Sequence, residues 1–92
     1  MARIRTHPGE ILEAEYLTPL KMSSTALAKK LGVPGNRISD LVRQRRGMTA
    51  DTALRLSRYF RTTPDFWMNL QAAYDLSKAV AENDYSRIPQ HA

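Results

Sequence analysis

The chain has 92 residues, a formal net charge of +5 and no cysteine. This length is enough for one domain that buries about 60–65% of its unfolded surface, and contents of 42% hydrophobic and 25% charged residues are typical of a globular protein. Without cysteine or a long apolar run, the sequence indicates no disulfide, thiolate metal site, secretory signal or membrane contact, so we expect a cytoplasmic protein.

The positive charge is concentrated in the first half of the sequence. Residues 1–48 contain nine Lys and Arg against four Asp and Glu, whereas residues 49–92 contain five of each kind. Four of the arginines lie within ten positions, from Arg37 to Arg46. Most charge clusters are simply solvated faces, but this asymmetry together with a pI near 10 favours a polyanionic partner.

The spacing of apolar residues predicts five helices and no strand. After a short basic arm, Pro8 marks the start of the first helix and Pro19 its end. The second helix has Ser23 or Ser24 as its N-cap and stops at Gly32, which can leave the helix in a left-handed conformation.

The third helix is predicted to start two residues after that stop and to face the core with Ile38, Leu41 and Val42. A single longer helix would bury the same leucines. The sharp turn therefore indicates that the third helix is placed for a function.

The fourth helix is predicted to begin at the Thr49 cap, and the fifth at the Thr63 cap with Pro64 in the first position. The fourth helix is expected to bury Ala53, Leu54, Leu56 and Phe60. No periodicity continues into residues 83–92, which we expect to form a flexible tail after a single domain of residues 1–82.

Helices two and three, joined by the tight glycine turn, have the pattern of a helix-turn-helix over residues 24–43. In such a unit the second helix enters the major groove, where Asn can pair with adenine and Arg with guanine. The expected base-reading residues are Gly35, Asn36, Arg37, Ser39 and Asp40. The expected phosphate-binding residues, at the start of helix two and after helix three, are Ser23, Ser24, Thr25, Arg43, Arg45 and Arg46.

The glycine between two short helices is weak support for DNA binding when taken alone, because such hairpins are common. Here it coincides with the inward Ile38 and Leu41, a polar outer face and a basic flank. Together these features favour DNA binding over a plain helical bundle.

Four stretches carry a resemblance to a known family: HPGEILEAEYLTPL, LAKKLGVPGNRIS, RRGMTADTALRLSRYF and PDFWMNLQAAYDL. Together they resemble the HigA antitoxin family, within the phage-repressor (XRE-type) helix-turn-helix group. The resemblance implies that this all-α, five-helix chain has a phage-repressor-like fold and is a homodimer that binds double-stranded operator DNA, expected to be an inverted repeat, and represses its own operon. It also implies neutralisation of a co-encoded HigB-type toxin, a ribosome-dependent mRNA endonuclease. The alternative is an orphan XRE-family repressor without a toxin partner.

The sequence departs from the family pattern at both ends of helix three. Where the family has a stretch close to Asn-Gly-Arg-Arg, this chain has Gln44 in the glycine position. A left-handed conformation at Gln44 would cost about 1 kcal/mol, unless Gly47 takes that role slightly later. Gly35 stands where a residue with a side chain is commoner, which loosens the start of helix three.

The fifth helix has more apolar surface than one small bundle is expected to cover. We expect Phe66 and Leu70 to lie in the core. The residues expected to form a dimer interface are Trp67, Tyr74, Leu76 and Val80. A basic toxin would need an acidic surface, and the expected toxin-binding residues in helix one are Glu10, Glu13 and Glu15.

Catalysis has little support in the sequence. The only histidines, His7 and His91, lie near opposite ends of the chain, and His7 before Pro8 is expected to help begin a helix rather than bind a metal. We therefore expect no catalytic site, no metal and no cofactor. Two alternatives remain at this point: that the chain is itself a small basic mRNA-cleaving toxin, and that it is a purely structural interaction module.

Overall fold

The computed structural model describes residues 3–91, and within them all regular secondary structure is helical, with no strand. Helix α1 consists of three contiguous stretches, Pro8–Leu12, Glu13–Leu17 and Thr18–Leu20; α2 spans Ser24–Leu31, α3 Gly35–Val42, α4 Ala50–Phe60 and α5 Pro64–Glu82. This confirms the all-α, five-helix fold. None of these helices is long and apolar enough to cross a membrane.

Helix α1 does not end at Pro19, so that prediction is wrong. Its middle stretch is a wide turn of the π type, in which the Thr18 N–H donates to the Glu13 carbonyl five residues earlier. The wider turn precedes Pro19, which has no N–H and whose ring would clash with a carbonyl in a regular α-helix. The helix therefore continues to Leu20 and ends at Lys21, which is left-handed.

Three of the helices begin at hydroxyl N-caps. The Ser23 Oγ accepts the Ala26 N–H at 3.0 Å, so Ser23 rather than Ser24 is the cap of α2. Thr49 and Thr63 accept the N–H groups three residues further on in the same way. These contacts confirm the predicted starts of α4 and α5.

Left-handed residues end both helices of the helix-turn-helix. Gly32 has φ of 73°, and the Val33 N–H donates to the Ala28 carbonyl across it at 3.0 Å. At the end of α3, Gln44 takes the same conformation with φ of 62°, whereas Gly47 does not have a positive φ. The sequence prediction for Gln44 is therefore confirmed, and the alternative that Gly47 takes this role is wrong.

The core lies between the five helices and contains Leu12, Leu27, Ile38, Leu41, Leu56 and Trp67, all 1% exposed or less. Two predicted core residues are outside it: Leu54 is 57% exposed and Phe66 is 39% exposed. Helix α4 buries the face that carries Ala53 and Leu56, and Leu54 lies on the other side. On α5 the larger neighbour Trp67 points into the core, so Phe66 is turned about 100° away from it.

The start of α1 packs directly against α3. His7 is the N-cap of α1, because its Nδ1 accepts the Gly9 N–H at 2.9 Å, which confirms the predicted role. A Cβ on Gly9 would overlap the Leu41 carbonyl oxygen, so only glycine permits this approach. The tight contact fixes α3 from the side opposite to its polar face.

Candidate nucleic-acid interface

Helix α3 packs into the core with its apolar face, which leaves its polar face open to solvent. Ile38 and Leu41 are buried against α1 and α2, while Asn36 on the opposite side is exposed. The other four predicted base-reading residues are half-buried: Gly35, Arg37, Ser39 and Asp40. Asn36 is thus the side chain of this set that projects furthest into solvent.

Arg37 lies on the flank of α3 and is tied to α4. Its Nη1 donates to the Asp51 Oδ2 at 2.5 Å, and the same oxygen accepts from the Arg55 Nε at 2.9 Å. The Arg55 Nη1 also donates to the Leu31 carbonyl at the end of α2, at 2.8 Å. Hydrogen bonds from Arg55, and next from Arg37, lower the pKa of Asp51 below its ordinary value, so this carboxylate is ionised.

Asp51 and Arg55 also belong to this interface, although neither is among the residues predicted from the sequence. Their spacing of four residues on a helix is a recognisable signal for an ion pair. The contact with Arg37 joins residues fourteen positions apart, and nothing in the local pattern indicates it.

The predicted phosphate-binding residues lie at the two ends of the helix-turn-helix. At the start of α2, Ser23 and Thr25 are exposed and Ser24 is half-buried. The arginines after α3 are all exposed: Arg43, Arg45 and Arg46. Arg46 approaches Asp40 on α3 at 3.9 Å, a long and solvent-screened ion pair that leaves its guanidinium accessible.

Gln71 on α5 holds the end of the segment of residues 43–48, which carries the three arginines, and it is not among the residues predicted from the sequence. Its Oε1 accepts the Met48 N–H at 2.6 Å, and its Nε2 donates to Asp75 on the next turn of α5 at 2.8 Å. Met48 itself is buried. The segment that carries the three arginines therefore has a fixed end against α5.

Trp67 does not belong to an interface between chains, so that prediction is wrong. The side chain is 0% exposed, its Nε1 donates to the Thr62 Oγ1 at 2.8 Å, and it packs against the Tyr16 ring at 5.3 Å. Tyr74 is half-buried because the His7 ring packs edge-on against it at 4.8 Å. Leu76 and Val80, by contrast, are 68% and 56% exposed.

The acidic side chains of α1 are all exposed: Glu10, Glu13 and Glu15. They form no ion pair with the described residues. Within residues 3–91 no group of three His, Asp or Glu side chains is arranged to hold a metal ion.

Residues 49–92 have no net charge, but in the folded protein their basic side chains are concentrated on one surface. A cleft of about 610 Å³ beside α4 is lined by Lys30, Arg55, Arg58 and Arg61 around the exposed Leu54 and Tyr59, with Asp51 as the only acid. The balancing acids of residues 49–92 lie mainly on α5 and beyond it. Folding thus creates a second basic surface that a count along the sequence does not reveal.

The helix-turn-helix family model matches residues 14–67, which is more than half of the chain. The virulence-associated protein I of Dichelobacter nodosus is 55% identical over 82 residues, which are 89% of this chain and 74% of that protein. A Pseudomonas aeruginosa protein solved with its 18-bp operator DNA superposes with a TM-score of 0.91 at 44% identity, over 99% of this chain and 100% of that one.

The antitoxin HigA of Pseudomonas aeruginosa, solved with the higBA promoter, superposes with a TM-score of 0.83 at 43% identity, over 95% of this chain and 100% of that one. These matches extend over nearly the whole molecule, including α1 and α5 outside the helix-turn-helix itself. The chain belongs to the helix-turn-helix family of DNA-binding regulators, in the group of the HigA antitoxins.

Proposed function

We propose that the protein is a DNA-binding antitoxin that represses its own toxin–antitoxin operon and neutralises a HigB-type mRNA endonuclease toxin. The observation that carries the proposal is the open polar face of α3, flanked by exposed arginines, in a chain that superposes over 99% of its length on a protein solved with operator DNA. Membership of a family of DNA-binding regulators shows that the chain is not an enzyme, which removes the alternative that it is the toxin itself.

In the proposed complex, the outer face of α3 contacts base edges in the major groove. Asn36 is exposed and can pair with adenine through two hydrogen bonds, while Ser39 and Asp40 lie beside it on the same face. Gly35 lets the backbone approach the groove closely, and Arg37 reaches a base from the flank.

Phosphates on the two sides of the groove are bound by the ends of the unit. Ser23, Ser24 and Thr25 present hydroxyls and free N–H groups at the start of α2, and the exposed arginines Arg43, Arg45 and Arg46 bind the backbone beyond α3.

We propose that the protein binds its operator as a homodimer. One recognition helix covers only a few base pairs, and two-fold pairing doubles that number. The operator is then an inverted repeat with half-site centres roughly 10–10.5 base pairs, or a multiple of that distance, apart. The exposed Leu76 and Val80, with the edge of Tyr74, supply the apolar surface for pairing.

The acidic side chains of α1 are the proposed contact for the toxin. Glu10 and Glu13 lie one turn apart on an exposed surface, and Glu15, two residues further along α1, is also exposed. A basic toxin meets complementary charge there rather than at the basic cleft beside α4. We propose that the protein acts in the cytoplasm, where both an operator and an mRNA-cleaving toxin are found.

The experiment that tests the proposal has two arms. Fluorescence anisotropy should show tighter binding to the DNA upstream of the protein's own reading frame than to a scrambled duplex of the same composition. The protein encoded by the neighbouring reading frame should arrest growth when it is expressed alone. Co-expression of this protein should relieve that arrest, and the two proteins should co-purify. Equal binding to both duplexes would contradict the repressor role.

The second candidate is an orphan repressor without a toxin, since operator binding, as in the relative with a TM-score of 0.91, does not by itself require a toxin. A neighbouring protein that is harmless alone, or that never co-purifies, would leave the repressor role and remove the antitoxin role. Charge reversal at Glu13 and Glu15 that leaves neutralisation intact would remove only the proposed toxin surface.

A further inference from the structure

We infer that Asp51 is a positioning residue for DNA recognition, which holds the Arg37 guanidinium on the flank of α3 so that it contacts a base edge of the operator. The inference rests on the proposed DNA-binding function and adds to it a residue of α4, outside the helix-turn-helix.

The tie is part of a chain of hydrogen bonds that spans three helices. One carboxylate oxygen of Asp51 accepts from Arg37 at 2.5 Å and from Arg55 at 2.9 Å. Arg55 also donates to the Leu31 carbonyl at 2.8 Å, one of the last carbonyls of α2, which have no partner within their own helix. The guanidinium of Arg37 is therefore held relative to both helices of the recognition unit.

The tie leaves most of the Arg37 guanidinium available. A guanidinium carries five N–H donors, and within residues 3–91 only Nη1 of Arg37 is engaged, by one oxygen. Recognition of guanine in the major groove uses two donors from a guanidinium. A long side chain that is already held in one orientation loses less conformational freedom when it binds, which favours the correct base contact.

A role in folding accounts poorly for this carboxylate. Helix α4 is already capped by Thr49, and the side chains of Arg37, Asp51 and Arg55 all remain partly exposed, where ion pairs add little stability. A negative charge beside a DNA-facing helix also repels phosphates. Its placement next to Arg37 is explained by what it does for that side chain.

The test is a double-mutant cycle on operator affinity. Fluorescence anisotropy on the operator duplex and on a scrambled duplex compares the parent, Asp51→Ala, Arg37→Ala and the double variant. We expect Asp51→Ala to weaken operator binding about 10-fold, within the range of one specific base contact, and not to weaken scrambled binding. The double variant should bind the operator no more weakly than Arg37→Ala, because without Arg37 the carboxylate has nothing to orient.

Asp65→Ala is the matched control. Asp65 has the same position in α5 that Asp51 has in α4, as the second residue of the helix after a threonine cap, and it is also exposed. It forms no ion pair with the described residues, so its removal changes the same charge without touching Arg37. We expect operator binding of Asp65→Ala to equal that of the parent.

A panel of operator duplexes, each with one base pair replaced, gives the readout that a structural role would not move. Arg37→Ala and Asp51→Ala should lose discrimination at the same base pair, and Asp51→Glu, which keeps the carboxylate, should restore part of it. If Asp51→Ala unfolds, the comparison of Asp51→Asn with Asp51→Glu replaces it.

Additive losses in the cycle, equal losses on both duplexes, or losses at different base pairs would each overturn the inference while the parent still selects its operator. If the parent itself shows no preference between the duplexes, the proposed function fails, and this inference fails with it. The two failures are therefore distinguishable.

Discussion

The two halves of α5 carry similar apolar residues but differ in what covers them. In the first half, Trp67 is 0% exposed and packs against the Tyr16 ring of α1. In the second half Leu76 and Val80 are 68% and 56% exposed. Apolar spacing along a helix specifies a face, but it does not specify whether that face meets the same chain or another one.

The contacts that cover α5 end near the N-terminal end of α1. His7 packs edge-on against Tyr74, and the Arg5 N–H donates to the Ser77 Oγ at 2.8 Å. Further along, none of the described side chains buries Val80, which is 56% exposed. The first half of α5 is therefore part of the domain core, and the second half is the surface that we propose for pairing.

The largest effect on stability is expected from shortening a side chain in the buried first half of α5. Trp67→Ala should lower the free energy of unfolding by about 3–5 kcal/mol, because a fully buried indole is replaced by a cavity and the Thr62 hydroxyl loses its partner. Leu76→Ala, in the uncovered half, should change it by less than about 0.5 kcal/mol. Urea unfolding of the two variants measures both values, and equal losses would contradict the comparison.

The next largest effect on stability is expected at Gly9, where the start of α1 packs against α3. Gly9→Ala should cost about 1–3 kcal/mol, since the added Cβ overlaps the Leu41 carbonyl and forces α1 away from α3 and α5. Gly35→Ala is the control, because its Cβ would meet only the Thr25 methyl at 3.9 Å. Thermal melting should show Gly9→Ala destabilised and Gly35→Ala unchanged or slightly more stable.

The stability contributed by the His7 cap at the start of α1 should depend on pH. Burial disfavours the charged form of the imidazole and lowers the pKa of His7 below its ordinary value of 6.5. The neutral ring accepts the Gly9 N–H at Nδ1, which a protonated ring cannot do, so protonation also breaks the cap. Since the unfolded chain binds the proton first, the stabilisation is complete above pH 6.5 and is lost as the pH falls from there through the folded pKa.

His7→Asn keeps a cap acceptor without a titrating ring, so it should lack this loss, which corresponds to a cap of about 0.5–2 kcal/mol. Unfolding free energies of the parent and the variant between neutral and mildly acidic pH measure the difference. A parallel pH dependence in both proteins would contradict the role of His7.

The smallest effect on stability, but a large one on assembly, is expected in the uncovered half. Leu76→Asp with Val80→Asp should leave the unfolding of the monomer unchanged and shift sedimentation from dimer to monomer, because charges enter an apolar interface. Leu54→Asp is the matched control, since Leu54 is 57% exposed on α4. An unchanged dimer in the double variant would remove this face as the pairing surface.

Local chemistry explains which features could be predicted from the sequence. The caps Thr49 and Thr63 and the stop at Gly32 each depend on residues within a few positions, and the structure has them where they were predicted. For α2 the sequence left Ser23 and Ser24 open, and the structure has Ser23 as the cap. The left-handed Gln44 was also recognisable, because it stands where the family has glycine.

Contacts between distant residues explain what could not be predicted. Which of the adjacent Phe66 and Trp67 enters the core depends on the position of α1, and the tie between Arg37 and Asp51 depends on how α3 meets α4. The basic cleft beside α4 likewise exists only after folding has separated the arginines from the acids of α5. The assignment of bases and phosphates to particular side chains stays a prediction.

The most direct test of the central claim is operator selectivity after removal of the most exposed side chain of α3. Fluorescence anisotropy, titrated at several salt concentrations, should show that at each of them Asn36→Ala binds the operator about 1–3 kcal/mol more weakly, while binding to a scrambled duplex is unchanged. Arg46→Ala, in contrast, should weaken binding to both duplexes and reduce the salt slope by about one unit. If Asn36→Ala loses the same affinity on both duplexes, or none on the operator, the outer face of α3 does not read bases and the account is contradicted.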